Sequence, residues 1–207
     1  MKEIKETTYK GTRILLGNRK RCVINKMVDI LISAGYEEIQ IPKIQYRKLF
    51  KNKVGIENTS MMFSVKDNSD RDLVLAPEYT AAIMELAKTT FKFQKDVKVF
   101  YVQECYRGEK PQFARLRQFT QLGVEIINPK KDYLEELITT ASDLVKCFGI
   151  DGFEVSRNVT RGLDYYNLGL GWEISKTCEN KKYQLIGGGN YKNGTGFALG
   201  IDRCLYL

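Results

Sequence analysis

The 207-residue sequence predicts an α+β domain built on a mixed, largely antiparallel sheet flanked by helices. Three observations carry this expectation. Two segments, 19–34 and 133–148, repeat apolar residues at helical spacing. Two others, Val97 to Cys105 and Gln118 to Ile127, alternate like paired strands around a polar loop. The glycine run Gly187 to Gly189 comes late, lacks GxGxxG and opens no amphipathic helix, which argues against a doubly wound parallel sheet. At this length a single hydrophobic core is expected, so 1–207 is read as one domain.

In chain order, Val23, Met27, Ile30, Leu31 and Ala34 mark one face of the first helix, which stops at Gly35. Tyr36 to Ile41 then separates apolar from polar positions before Pro42, as an edge or interface strand does. Leu73 to Leu75 is a short strand ending at Pro77, and Thr80 to Ala87 returns to helical spacing, which puts Glu78 to Thr80 at a junction. Val97 to Cys105 and Gln118 to Ile127 form a long hairpin whose tip, Arg107 to Arg117, is charged. Leu134, Leu137, Ile138, Ala141, Leu144, Val145 and Phe148 stripe the second long helix, which Gly149 ends. The remainder, from Phe153, reads as short strands divided by the glycine run, with Gly194, Gly196 and Gly200 further on.

Composition limits the chemistry. Hydrophobic residues make up 43% and charged residues 28%, the balance of a globular chain. No apolar run reaches the roughly 20 residues of a membrane span, and MKEIKETTYK lacks the apolar stretch of a signal peptide; a cytoplasmic protein without a membrane partner is expected. The cysteines are scattered, form no CxxC pair and read as reduced thiols. Histidine is absent, which makes structural zinc improbable and excludes Ser-His-Asp, Cys-His and imidazole acid/base machinery. No metal ligand set is assigned to protein side chains. Any reaction must run on charge and positioning. The net charge of +8 suits a polyanionic partner, and equally suits a Lys-, Ile- and Asn-rich composition set by a nucleotide-biased genome.

The densest signal runs from Tyr106 to Phe119, where Arg107, Lys110, Arg115 and Arg117 surround one glutamate, Glu109. Arginine's planar fork grips phosphate bidentately, so such a loop is either a polyphosphate clamp or a solvated turn.

The string Arg107-Gly108-Glu109-Lys110-Pro111-Gln112, followed by Arg115-Leu116-Arg117-Gln118-Phe119-Thr120-Gln121-Leu122-Gly123-Val124-Glu125, resembles motif 2 of class II aminoacyl-tRNA synthetases, histidyl type. Other landmarks are similar and fall in order. Gly11-Thr12-Arg13 resembles the N-terminal histidyl signature, and Gly35-Tyr36 through Pro42 resembles motif 1, the family's dimer interface. Leu75 to Ala81 resembles the amino-acid loop, Arg161-Gly162-Leu163-Asp164-Tyr165-Tyr166 the histidyl-specific loop, and Gly196 to Arg203 motif 3. The resemblance covers nearly the whole chain, Gly11 to Arg203.

What the resemblance implies is a class II synthetase-like catalytic domain that binds ATP, with Mg²⁺, and histidine, and joins them as an adenylate. Arg107, Arg161 and Arg203 are then the catalytic cations. Arg107, Glu109, Arg115, Arg117, Phe119 and Arg203 hold ATP, with Arg107 on the α-phosphate, Glu109 against the adenine and Arg203 on the γ-phosphate. Glu78, Thr80, Gln121, Glu125, Arg161, Tyr165 and Tyr166 hold the amino acid, Glu78 and Thr80 taking its α-amino group and Glu125 with the tyrosines its imidazole. The physical account agrees: carboxylate attack on an α-phosphate brings anions together, so fixed cations lower the barrier and no protein base is needed.

The pattern departs in places. Ala76 replaces the arginine usual before Pro-Glu, and Tyr79, where the family has glycine, threatens to crowd the pocket. Thr120 and Asp202 stand where histidine and glutamate are usual, and the link from Gly189 to Gly196 is short. The family's helical insertion is missing between Phe148 and Arg161, and four residues after Arg203 leave no room for an anticodon-binding domain; a single domain lacking both is expected. Three functions compete. The first is a minimal histidine–tRNA ligase-like enzyme, a homodimer whose acceptor is tRNA or another molecule. The second is a non-catalytic, histidine-sensing regulatory subunit partnered with a catalytic ATP phosphoribosyltransferase chain. The third is an RNA-binding module without catalysis.

Overall fold

The computed structural model describes residues 7–9, 12–14, 17–50, 61–110, 112–160 and 166–207, with side chains from 17 onward except 166–170. Strands β1 (Thr7–Tyr9) and β2 (Thr12–Ile14) pair antiparallel. Helix α1 (Gly17–Ser33) buries Val23, Met27 and Leu31, four residues apart along one stripe. It ends at Gly35, whose φ of 81° favours a residue without a side chain. Next come β3 (Glu37–Glu38), β4 (Ile44–Tyr46), a 3₁₀ turn (Arg47–Leu49), β5 (Ser64–Val65), β6 (Leu73–Leu75) and helix α2 (Thr80–Lys88). The long hairpin is β7 (Val97–Tyr106) and β8 (Gln118–Ile127), paired from Val97↔Ile127 to Tyr106↔Gln118. Helix α3 (Leu134–Lys146) precedes β9 (Glu154–Val159), β10 (Tyr166–Cys178), β11 (Lys181–Tyr191), β12 (Gly194–Gly200) and helix α4 (Ile201–Tyr206).

The main sheet has seven strands in the order β3-β7-β8-β12-β11-β10-β9, antiparallel throughout except for the β3–β7 pair. Strands β4, β6 and β5 make a separate antiparallel sheet. The expected edge strand over 36–41 is regular only at Glu37–Glu38. Beyond it the Gln103 amide takes the place of a neighbouring strand, accepting from Ile41 N at 3.0 Å and donating to Ile41 O at 2.5 Å.

Alternation gives the main sheet two different faces. Phe100, Leu122, Val124, Ile126, Trp172, Ile186, Phe197 and Leu199 share one buried cluster with Met27 and Leu31 of α1 and Leu137, Ala141 and Leu144 of α3. The residues between them in register, Tyr101, Cys105 and Ile127, point the other way and pack with Ile83, Met84 and Ala87 of α2. The rest of that second face holds Gln121, Gly123 and Glu125 of β8 opposite Gly200, Ala198 and Gly196 of β12. Here the sheet is lined with small and polar groups, and this is where the site lies.

The C-terminal quarter corrects the expectation of short strands divided by glycines. Gly187 to Gly189 lie inside the 11-residue β11, paired with Ala198, Phe197 and Gly196. The run is glycine because of what faces it: a Cβ at Gly188 would stand 2.4 Å from the Trp172 indole, and Gly187 lines the cavity on the opposite face. The chain then ends in α4, a helix of six residues that helical spacing could not reveal at that length.

Candidate active site

The loop between β7 and β8 is closed at its neck by Arg107 N donating to Arg117 O at 2.8 Å. At its tip Gln112 and Arg115 exchange backbone hydrogen bonds around Ala114, which sits at φ 57°. Gly108 N donates to Met61 O at 2.7 Å, and a Cβ there would stand 3.2 Å from that oxygen, so the loop lies tight against the chain.

This geometry folds the loop over a cavity of about 620 Å³ whose lining includes Arg107, Glu109, Arg115, Phe119, Gln121 and Arg203. The Arg107 guanidinium rests 5.0 Å above the Phe119 ring and its Nε donates to Pro77 O at 3.0 Å. Arg203 donates from Nε to Ala114 O at 3.0 Å and from Nη1 to Gln184 O at 2.7 Å. Burial, and then the neighbouring Arg115 and Arg107, press the Arg203 pKa below its ordinary value. An anion in the cavity would relieve that repulsion. Glu109 Oε2 lies 3.5 Å from Arg115 Nε.

Further along β8, the carboxylate end of the site is buried. Glu125 accepts from the Tyr191 hydroxyl at 2.7 Å and from Thr80 Oγ1 at 3.2 Å. Burial pushes its pKa up to about 8; the two hydroxyl donors oppose this, and the nearby Glu78 carboxylate adds to it. Glu78 accepts from Ala81 N at 3.2 and 3.3 Å, at the first turn of α2. A Cβ at Gly196 would fall 2.0 Å from Glu125 Oε2, so the β12 glycine is what admits this carboxylate. Gln121 lines the cavity on the same face of β8 as Glu125, and its amide donates to the Tyr101 hydroxyl at 3.1 Å and accepts from Cys105 Sγ at 3.6 Å. One strand face therefore runs from the arginines to the carboxylates.

Of the sequence-predicted residues, Arg107, Glu109, Arg115, Phe119, Gln121 and Arg203 line the cavity. Glu78, Thr80 and Glu125 cluster beside α2. Arg117 is exposed and off the described cavity wall. Arg161, Tyr165, Pro111 and Gly11 lie outside the described residues; Tyr166 pairs through its backbone with Tyr191, its side chain outside them too. Tyr79 does not crowd the described cavity: its ring packs edge-on against Tyr101 and its hydroxyl donates to Glu104 O at 2.7 Å, so its bulk goes into the core. Sequence reasoning missed Tyr191, Lys110 and Gln184. Lys110 lay in the same cationic string, whereas nothing local marks Tyr191, whose partner Glu125 is 66 residues upstream. Among the described residues no three or more Cys, Asp or Glu stand close enough to hold a metal ion, and no helix is long and apolar enough to cross a membrane.

The fold has solved counterparts. The crystal structure of apo S. aureus histidyl-tRNA synthetase superposes with a TM-score of 0.76 at 24% identity, over 96% of this chain and 69% of that one. A protein described as an ATP phosphoribosyltransferase regulatory subunit/histidyl-tRNA synthetase from Bacillus halodurans C superposes with a TM-score of 0.78 at 16% identity, over 99% and 82%. The chain therefore shares the fold of these two structures, a largely antiparallel sheet whose glycine-rich face here lies against the arginines and carboxylates of the candidate site.

Residues 17–161 match the histidyl-tRNA synthetase family model. The histidine–tRNA ligase of Methanosarcina acetivorans is 36% identical over 166 residues, 75% of this chain. The chain belongs to the histidyl-tRNA synthetase family, and it spans 40% of the length of that archaeal relative.

Proposed function

We propose that the chain binds ATP and histidine and joins them as histidyl-adenylate, acting as a histidine–tRNA ligase-like catalytic domain. The observation that supports this best is the single strand face of β8 that leads from the arginine-lined cavity to the buried Glu125. A cavity of about 620 Å³ is of nucleotide size. In this reading a histidine carboxylate oxygen attacks the α-phosphorus, a new P–O bond forms, and the bond to the β-phosphate oxygen breaks to release pyrophosphate. Arg107 and Arg161 neutralise the α-phosphate and Arg203 the γ-phosphate, while Glu78 and Thr80 take the ammonium and Glu125 with Tyr166 the imidazole.

Mg²⁺ would arrive on the triphosphate and neutralise it. Glu109 and Asp202, the carboxylates at the cavity, already pair with Arg115 and Lys20, which fits a metal held chiefly by phosphate oxygens rather than by a protein cage. The same proposal includes a homodimer, a cytoplasmic location and a tRNA or other acceptor, which family membership supports. The test is ATP–pyrophosphate exchange across the amino acids. Exchange with histidine alone is the expected result; absence of exchange in folded protein removes adenylation, and histidine binding without exchange favours the sensor reading.

A further inference from the structure

We infer that Lys20 is a positioning residue for the nucleotide end of the site, acting through Asp202 on Arg203; the inference rests on the ATP reading above. Lys20 lies in the first turn of α1 between Arg19 and Arg21, with no acidic residue in that turn. Cations there oppose the helix dipole, so α1 by itself gives no reason for a lysine at this place.

The reason lies across the fold. Lys20 Nζ donates to Asp202 Oδ1 at 2.8 Å and to Thr120 Oγ1 at 2.5 Å, over 182 and 100 residues of sequence. The other Asp202 oxygen accepts from Thr120 N. The Asp202 side chain is 5% exposed and the Lys20 side chain 24%. Both carboxylate oxygens are therefore engaged, as a buried charge requires if it is to be tolerated.

The position of this knot gives it a role. Thr120 follows Phe119, on which the Arg107 guanidinium rests, and Asp202 precedes Arg203. The knot ties the strand that supports one phosphate-facing arginine to the helix that carries the other, and it anchors both to α1. Asp202 itself lines the cavity. Losing Lys20 leaves a buried carboxylate held on one side only, at the start of α4, a six-residue helix without a side-chain cap that is otherwise seated by Ile201 and Cys204 in the core and by the Arg203 bonds to Ala114 O and Gln184 O. Without the Lys20 bond the first residues of α4 shift, and the separation of the two arginines is held less tightly.

The experiment compares Lys20→Met, Lys20→Arg and Asp202→Asn in the full chain by two readings. In the apoprotein, peptide-resolved phenylglyoxal labelling reports how firmly Arg203 is held. It is expected to be several-fold faster in Lys20→Met and Asp202→Asn, and near wild type in Lys20→Arg. In pyrophosphate exchange, Lys20→Met raises the KM for ATP by about 10-fold, leaves the KM for histidine unchanged, and Lys20→Arg restores it. Unchanged Arg203 labelling in folded Lys20→Met overturns the inference, as does a lowered melting temperature with labelling and both KM values unmoved. If Lys20→Met does not fold, Asp202→Asn, which keeps the acceptor for Thr120 N, decides by the same readings. Wild-type protein without exchange defeats the adenylation reading, while the labelling still judges Lys20.

Discussion

At the scale of single residues, Glu125 is the most informative group. Folding raises its pKa from the ordinary 4.5 to about 8, so the folded chain keeps a proton that the unfolded chain gives up across that window. Stability from this group is full below pH 4.5 and is lost as pH rises through about 8. Glu125→Gln, nearly isosteric and uncharged, is expected to flatten that part of the stability profile in urea titrations at a series of pH values. In the proposed reading Glu125 faces the imidazole, which is largely neutral near pH 7, so the Glu125 proton is kept or passed to the ring and histidine binding near neutral pH leaves the number of bound protons nearly unchanged. Calorimetry in buffers of different ionisation enthalpy measures this directly, as a binding enthalpy that does not depend on the buffer. Arg107→Ala removes both the cation above Phe119 and the bond to Pro77 O. Equilibrium dialysis should show ATP affinity falling by about 10- to 100-fold.

At the scale of elements, the strands of the second half are shaped by what glycine leaves open. Gly188→Ala drives a methyl into the Trp172 indole in the main core, and thermal unfolding should report a loss of about 1–3 kcal/mol. Gly196→Ala meets Glu125 and the Val124 carbonyl instead, so it should reduce histidine affinity as well as stability. These glycines also explain which elements were legible in the sequence. The β7–β8 hairpin and helices α1 and α3 were readable because Val97 to Ile127 alternates around a charged loop and Leu137, Ala141 and Leu144 recur at helical spacing. Strands β10 to β12 were blurred because positions that would show alternation, Gly187, Gly189 and Gly196, are empty on the site face.

At the scale of the whole molecule, ligands that span the β8 face should stabilise the entire chain. Saturating MgATP and histidine, at about 100 times their dissociation constants, each add about 2.7 kcal/mol, read as a rise in melting temperature; at the same ATP concentration Arg107→Ala cuts the ATP contribution to about 0.4–1.4 kcal/mol. Part of the candidate site was legible because Arg107, Glu109, Arg115, Phe119, Gln121 and Glu125 sit in one continuous string. Tyr191, and the knot of Lys20 with Asp202, were not, because only the folded sheet brings residues 66 and 182 positions apart together. The two faces of β8 have one more consequence. Because side chains alternate, a slip of one residue against β7 and β12 would turn Val124 and Ile126 toward the cavity and thrust Gln121 and Glu125 under α1 and α3. An unpaired carboxylate in that apolar layer costs several kcal/mol, so the polar residues of the candidate site also proofread the chain's own assembly.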